Sequence, residues 1–136
     1  MSDDEFKMEP EEDYSMGTTY NLHAIPPLHQ LQIHLYNMGL GVLQAEGNYY
    51  YDHKKTYIRF HRDRERKKVI GFRLGASFPI HFRWMYNTTV ISDITTFDLN
   101  HGDIYFMSEK ACGFSKIEPS KIYLKHAAGN CDLTFS

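Results

Sequence analysis

The feature that most constrains this chain is a succession of short segments in which polar and apolar residues alternate. Each is rich in β-branched or aromatic residues and each is closed by a turn. Tyr57-Ile58-Arg59-Phe60-His61 is the first clear case, and Val69-Ile70-Gly71-Phe72-Arg73-Leu74 follows, ended by Gly75. Ile80-His81-Phe82-Arg83-Trp84-Met85-Tyr86 alternates cleanly and turns at Asn87-Thr88-Thr89. Thr95-Thr96-Phe97-Asp98-Leu99 and Ile104-Tyr105-Phe106-Met107 flank the tight sequence Asn100-His101-Gly102-Asp103. Ile122-Tyr123-Leu124-Lys125-His126 comes next, and Leu133-Thr134-Phe135 reads as a last short strand. A two-residue period marks strands with one face inward. Many such strands at close spacing, with no room for regular helical crossovers, predict a mainly β sandwich or barrel.

The 136 residues suffice for one domain. Residues 18–136 are expected to form it. Ahead of the strands, Pro26-Pro27 followed by Leu28, Leu31, Ile33 and Leu35 predicts a short N-terminal helix, since proline suits a helix start. Residues 1–17 carry seven acidic side chains and no apolar period, and are expected to be a disordered acidic tail. No apolar run is long enough for a transmembrane helix, and the acidic N-terminus lacks the apolar core of a secretory signal. The chain is therefore expected to be intracellular, with Cys112 and Cys131 as free thiols. Nothing in the sequence asks for a partner subunit, so a monomer is expected.

Chemistry concentrates at His61-Arg62-Asp63. Residues i and i+2 of a strand share a face, so an imidazole and a carboxylate there can reach one metal ion. His126, ending a later β run, is the candidate third ligand. Two histidines and a carboxylate make the facial triad of non-haem iron(II) oxygenases. His101-Gly102-Asp103 has the same spacing, but Gly102 marks it as a chain reversal. A kinase catalytic loop is excluded, because no glycine-rich loop and no Asp-Phe-Gly accompany the His-Arg-Asp.

Several ordered blocks together resemble the AlkB-type dioxygenase core. These are His61-Arg62-Asp63-Arg64-Glu65, then Val69-Ile70-Gly71-Phe72-Arg73-Leu74-Gly75, then Phe82-Arg83-Trp84. Leu99-Asn100-His101-Gly102-Asp103 with the apolar run after it matches the family's next turn, and Leu124-Lys125-His126 matches its second metal histidine. Asn48-Tyr49-Tyr50 stands where the family has Asn-x-Tyr. The resemblance covers roughly residues 46–130. It implies a double-stranded β-helix of the jelly-roll or cupin type. It implies Fe(II) held by His61, Asp63 and His126, with 2-oxoglutarate near Asn48 and Tyr50. The implied reaction consumes dioxygen and 2-oxoglutarate, releases succinate and CO2, and hydroxylates a C–H bond, often of an N-methyl group that then leaves as formaldehyde.

One departure from the family pattern matters. The family anchors the far carboxylate of 2-oxoglutarate with an arginine on the strand after the second metal histidine, and no Lys or Arg follows His126 here. An unpaired carboxylate is costly to bury, so Arg73 or Arg83 is expected to supply the cation. Eight of the fifteen Lys and Arg lie in residues 54–68, which favours a phosphate backbone nearby, and Tyr49, Tyr50 and Tyr51 could stack a flipped base. The sequence thus points to demethylation of an alkylated base in single-stranded nucleic acid. Two alternatives stay open: the same chemistry on a protein side chain, and a non-catalytic β-helix that serves as a binding module.

Overall fold

In the computed structural model, residues 5–8, 18–63, 66–113 and 121–135 are described, without the side chains of 5–8 and 18–20. The chain divides into two compact units, Met1–Tyr49 and Tyr50–Ser136. Of the acidic stretch expected as a tail, Glu5–Met8 runs as a strand, and its other residues lie outside those described.

In the first unit, β1 (Glu5–Met8) lies between β2 (Thr18–Asn21) and β3 (Ala45–Gly47), antiparallel to β2 and parallel to β3. A 3-10 turn at Leu22–Ala24 leads into α1 (Pro26–Leu35), which begins on its two prolines as expected. The helix passes into a wider turn at Tyr36–Leu40 that ends where Gly39 takes φ 85°, a conformation glycine accepts without strain.

The second unit is built of antiparallel strands. They are β4 (Ile58–His61), β5 (Val69–Phe72), β6 (Phe78–Tyr86), β7 (Thr89–Val90), β8 (Thr95–Leu99), β9 (Ile104–Met107) and β10 (Ile122–Ala128). One sheet runs β4-β10-β6, with β7 and β8 both paired to β6. The other is the pair β5-β9. Two short helices complete the unit, α2 (Glu109–Cys112) and α3 (Cys131–Thr134).

Register fixes which side chains share a face, because directly opposed residues point the same way. His126 opposes both Phe82 and His61, Leu124 opposes Trp84, and Leu99 opposes Phe78. One face of the larger sheet therefore carries Phe78, Ile80, Phe82 and Trp84 with Leu99, His126 and His61. The small sheet packs on this face. Ile80, Leu99, Met107 and Cys112 form the buried cluster between them, with Val69, Phe82, Tyr105 and Ala111 against it. Both faces of β6 are partly covered, since His81 and Met85 on its other side are also buried.

Residues 133–135 do not form the expected strand. Asn130 caps a helical turn instead, its side chain accepting from the Asp132 N–H, so residues 131–134 are helical. Ala111 and Cys112 lie in a short helix, Glu109–Cys112. Ser108 caps that helix and Gly113 ends it at φ 80°.

Candidate metal centre

His61 is the last residue of β4, and Asp63 lies two residues beyond it. The Asp63 N–H donates to the Cys112 carbonyl at 2.7 Å, which fixes the chain just after the strand. His126 stands on β10 directly across from His61. The imidazole and carboxylate ligand atoms of His61, Asp63 and His126 all lie within 4.8 Å of one another. Nε2 of His61 is 3.5 Å from Asp63 Oδ1, and Nε2 of His126 is 3.4 Å from Asp63 Oδ2. Two ligand atoms at right angles on an ion with bonds of about 2.1 Å stand about 3 Å apart. The two contacts to Asp63, each through a different oxygen, are 3.5 and 3.4 Å, roughly half an ångström longer than that spacing.

Hydrogen bonds select the ligating atoms. Nδ1 of His61 is 2.8 Å from the Arg59 carbonyl. A carbonyl can only accept, so Nδ1 keeps its proton and Nε2 is the atom turned to Asp63. The buried Nδ1 of His126 makes no well-formed hydrogen bond among the described residues, although the Ala111 backbone acts on the ring.

The electrostatics of the three groups differ. The side-chain hydrogen bond with Asp63 raises the pKa of His61 above its ordinary value, against the lowering effect of burial. Burial alone would raise Asp63. The hydrogen bond from His61 and the charges of His126 and His61 outweigh it and hold the carboxyl below its usual range. Burial, with the charge of His61, depresses His126 to about 4, leaving it neutral at physiological pH. A neutral imidazole, a carboxylate and a second imidazole that can give up its proton suit a divalent first-row ion. Cys112 is close by, but burial pushes its thiol up to about 11, and its Sγ–H points to the Met107 carbonyl. It is not one of the three clustered ligand groups.

Within the second unit the other expected site residues separate. Tyr50 packs against Phe78, ring centroids 4.2 Å apart, on the metal-bearing side. The Arg73 guanidinium lies 5.9 Å from the Tyr50 ring centroid and 5.4 Å from that of Phe78. Its buried Nε makes no hydrogen bond among the described residues. Arg83 sits elsewhere. Phe82 opposes His126, so Arg83 points from the other face of β6, where its guanidinium lies 4.0 Å over Phe60. Arg83 is therefore not a neighbour of the metal cluster, which corrects its candidacy as a cosubstrate anchor. Asn48 is exposed in the loop after β3, in the first unit. Glu65 lies outside the described residues.

His101-Gly102-Asp103 is a turn. Gly102 has φ 86°, Asp103 Oδ2 accepts from the Asn100 N–H at 2.7 Å, and His101 Nδ1 accepts from the Gly75 N–H at 2.9 Å. Both side chains are occupied in holding the chain reversal.

Two features escaped the sequence. His81 is fully buried on the far face, with Nε2 2.7 Å from the Gly129 carbonyl and Nδ1 2.8 Å from Thr96 Oγ1. The Tyr105 ring lies across Gly71 where a Cβ would stand, so any side chain there would displace the ring. A glycine inside a strand pattern is the one signal that marks such an approach.

No protein-family model matches the chain, and no solved structure matches it. It is similar to an uncharacterized protein of Acanthamoeba polyphaga mimivirus, with 43% identity over 117 residues. That alignment takes in 85% of this chain and 46% of the relative, so the chain spans about half the relative's length.

Proposed function

We propose that this chain is an AlkB-like, Fe(II)- and 2-oxoglutarate-dependent dioxygenase on a double-stranded β-helix, oxidising an alkylated base in nucleic acid inside the cell. The observation that carries the reading is the convergence of His61, Asp63 and His126 within 4.8 Å on the covered face of a two-sheet β unit. The ligand set is that of the iron(II) facial triad. The opposed packing of β4-β10-β6-β8 and β5-β9 suits a jelly roll.

In this reading Nε2 of His61, a carboxylate oxygen of Asp63 and Nε2 of His126 hold the ion, and the rest of its coordination sphere is left for cosubstrate and dioxygen. The bound ion would supply the oxidising power that no side chain has. The chain's own residues bind and orient. The Arg59 carbonyl holds the His61 ring, and the Cys112 carbonyl holds the backbone of Asp63. Arg73 is the cation for the far carboxylate of 2-oxoglutarate. It is half-buried, no ion pair joins it among the described residues, and it lies beside Tyr50 on the metal-bearing side. Phe82 and Trp84, on the cluster's own face of β6, exclude water. Nucleic acid as substrate class is supported by the basic stretch over residues 54–68.

The test is an anaerobic titration of the protein with Fe(II) and 2-oxoglutarate, followed through the weak visible charge-transfer band of the chelate. The band is expected, and its absence would overturn the enzyme reading in favour of a binding module. Succinate release stimulated by methylated single-stranded DNA or RNA is expected next. Stimulation by methylated peptides alone would replace the substrate class with a protein side chain.

A further inference from the structure

The small sheet is incomplete along one edge. β5 pairs only with β9 among the described residues, with Ile70 opposite Phe106 and Phe72 opposite Ile104. Just beyond the strand, Arg73 donates its N–H to the Asp103 carbonyl and accepts from the Gly102 N–H, so its backbone faces β9. Backbone direction alternates along a strand. Val69 and Gly71 therefore also face β9, and the N–H and C=O groups of Ile70 and Phe72 point outward at a free edge. The outer face of the same two strands is apolar and open. Phe72 is 38% exposed, Leu74 76%, Ile104 55% and Phe106 68%. A two-stranded sheet is marginal in water, and an unpaired apolar edge is a template for another strand.

The composition of the edge selects the occupant. We propose that β5 pairs antiparallel with β5 of a second copy of this chain, giving a four-stranded sheet β9-β5-β5-β9 across a two-fold axis. With the axis at Gly71, Ile70 exchanges hydrogen bonds with Phe72 of the partner subunit. This is a β-branched residue against an aromatic one, a favourable cross-strand pair. Lys68 then meets Leu74 of the partner subunit and Arg73 meets Val69 of the partner subunit, so no like charges oppose each other. The outer face becomes two rows of four large apolar side chains, each row running Phe106, Ile70, then Phe72 and Ile104 of the partner subunit. The axis residue carries no side chain, and the Tyr105 ring occupies the space beside it on the inner face. A two-fold interface needs such a self-complementary patch. The arrangement differs from the monomer expected from the sequence.

Sedimentation equilibrium of the full chain over a wide concentration range tests this. The mass should rise from one chain to two and stop there. Phe72→Pro removes an N–H that β9 does not use, and Ile70→Lys charges the edge. Both should remain at one chain while keeping the far-ultraviolet circular dichroism of the parent. Ile104→Lys, on the same face but away from the seam, should still dimerise. In the unmodified protein, amide exchange at Ile70 and Phe72 should slow as concentration rises. The proposal is overturned by a single-chain mass at every concentration, or by open-ended association. It is equally overturned if the dimer survives both edge variants, is lost in Ile104→Lys instead, or forms without added protection at the two amides.

Discussion

His61 and His126 face each other directly across the β4–β10 ladder, their rings edge to face with centroids 4.3 Å apart. Asp63 bridges their Nε2 atoms from just beyond the strand. Two histidines opposed in this way, with a carboxylate between them, offer the ligand set that the proposed iron site needs. Asp63→Ala should therefore weaken Co(II) or Fe(II) binding by at least about 100-fold, beyond the roughly 10–100-fold typical of residues that merely orient a ligand. An anaerobic Co(II) titration followed by its visible absorption measures this. Equal affinity in parent and variant would remove Asp63 from the ligand set.

Arg73 and Arg83 should differ in a cosubstrate titration. Arg73→Ala removes the cation on the metal-bearing side and should raise the apparent Kd for 2-oxoglutarate by about 10–100-fold, the loss of one charge-assisted contact of about 1.5–3 kcal/mol. Arg83→Ala lies on the opposite face of β6, over Phe60, and should leave that Kd within about two-fold. The charge-transfer band of the chelate reads both. The reverse order would show that the anchor does not stand on β5's side.

The contrast between these two arginines also shows what the sequence could carry. Alternation alone located most strands of the second unit, and it put Arg73 on the face of Gly71, opposite Ile70, Phe72 and Leu74. It could not say which face of β6 meets His126, because that depends on pairing between strands far apart in the chain. The opposition of His126 to Phe82 decides it. His101-Gly102-Asp103 was legible as a turn because Gly102 needs positive φ. α3 was not, because Thr134 and Phe135 are good strand formers, and a local cap from Asn130 overrides their propensity. Alternation set His81 on the same face as Arg83 and said nothing of its burial. Only the assembled fold brings Phe135 to 4.8 Å from its ring and closes that end of the face.

Metal-free protein should lose stability in acid through His126. Its pKa is depressed to about 4 from an ordinary 6.5, so between these values the unfolded chain binds a proton that the folded chain refuses. Stability then falls as pH falls through that window, by up to about 1.4 kcal/mol per pH unit, and the effect levels off below about pH 4. His61 has the opposite sign. Its raised pKa contributes stability that is complete below 6.5 and is lost as pH rises through the folded value. Asp63, lowered, contributes above 3.8 and loses that contribution only at still lower pH. Urea unfolding in the presence of chelator should thus show an acid slope that His126→Asn flattens. An unchanged slope would assign it to another group.

The far face gives the last prediction. The Gly129 carbonyl accepts from His81, so Nε2 carries the proton and Nδ1 accepts from the Thr96 hydroxyl. One buried ring thereby ties β6 to β8 and to the end of β10. His81→Phe keeps an aromatic ring, a somewhat larger one, but leaves the buried Gly129 carbonyl without its donor. It should destabilise the chain by about 1–3 kcal/mol, the usual result of orphaning a buried polar group. Thr96→Val should cost less, because the Thr96 side is exposed and water can replace the hydroxyl. The two losses should not add, since both act through one imidazole. Urea denaturation of the two single variants and the double variant measures the coupling. His81 stands on the face away from His61, Asp63 and His126, so the metal affinity of the folded variants should stay within about two-fold of the parent. A larger drop would mean that this histidine also positions the metal ligands.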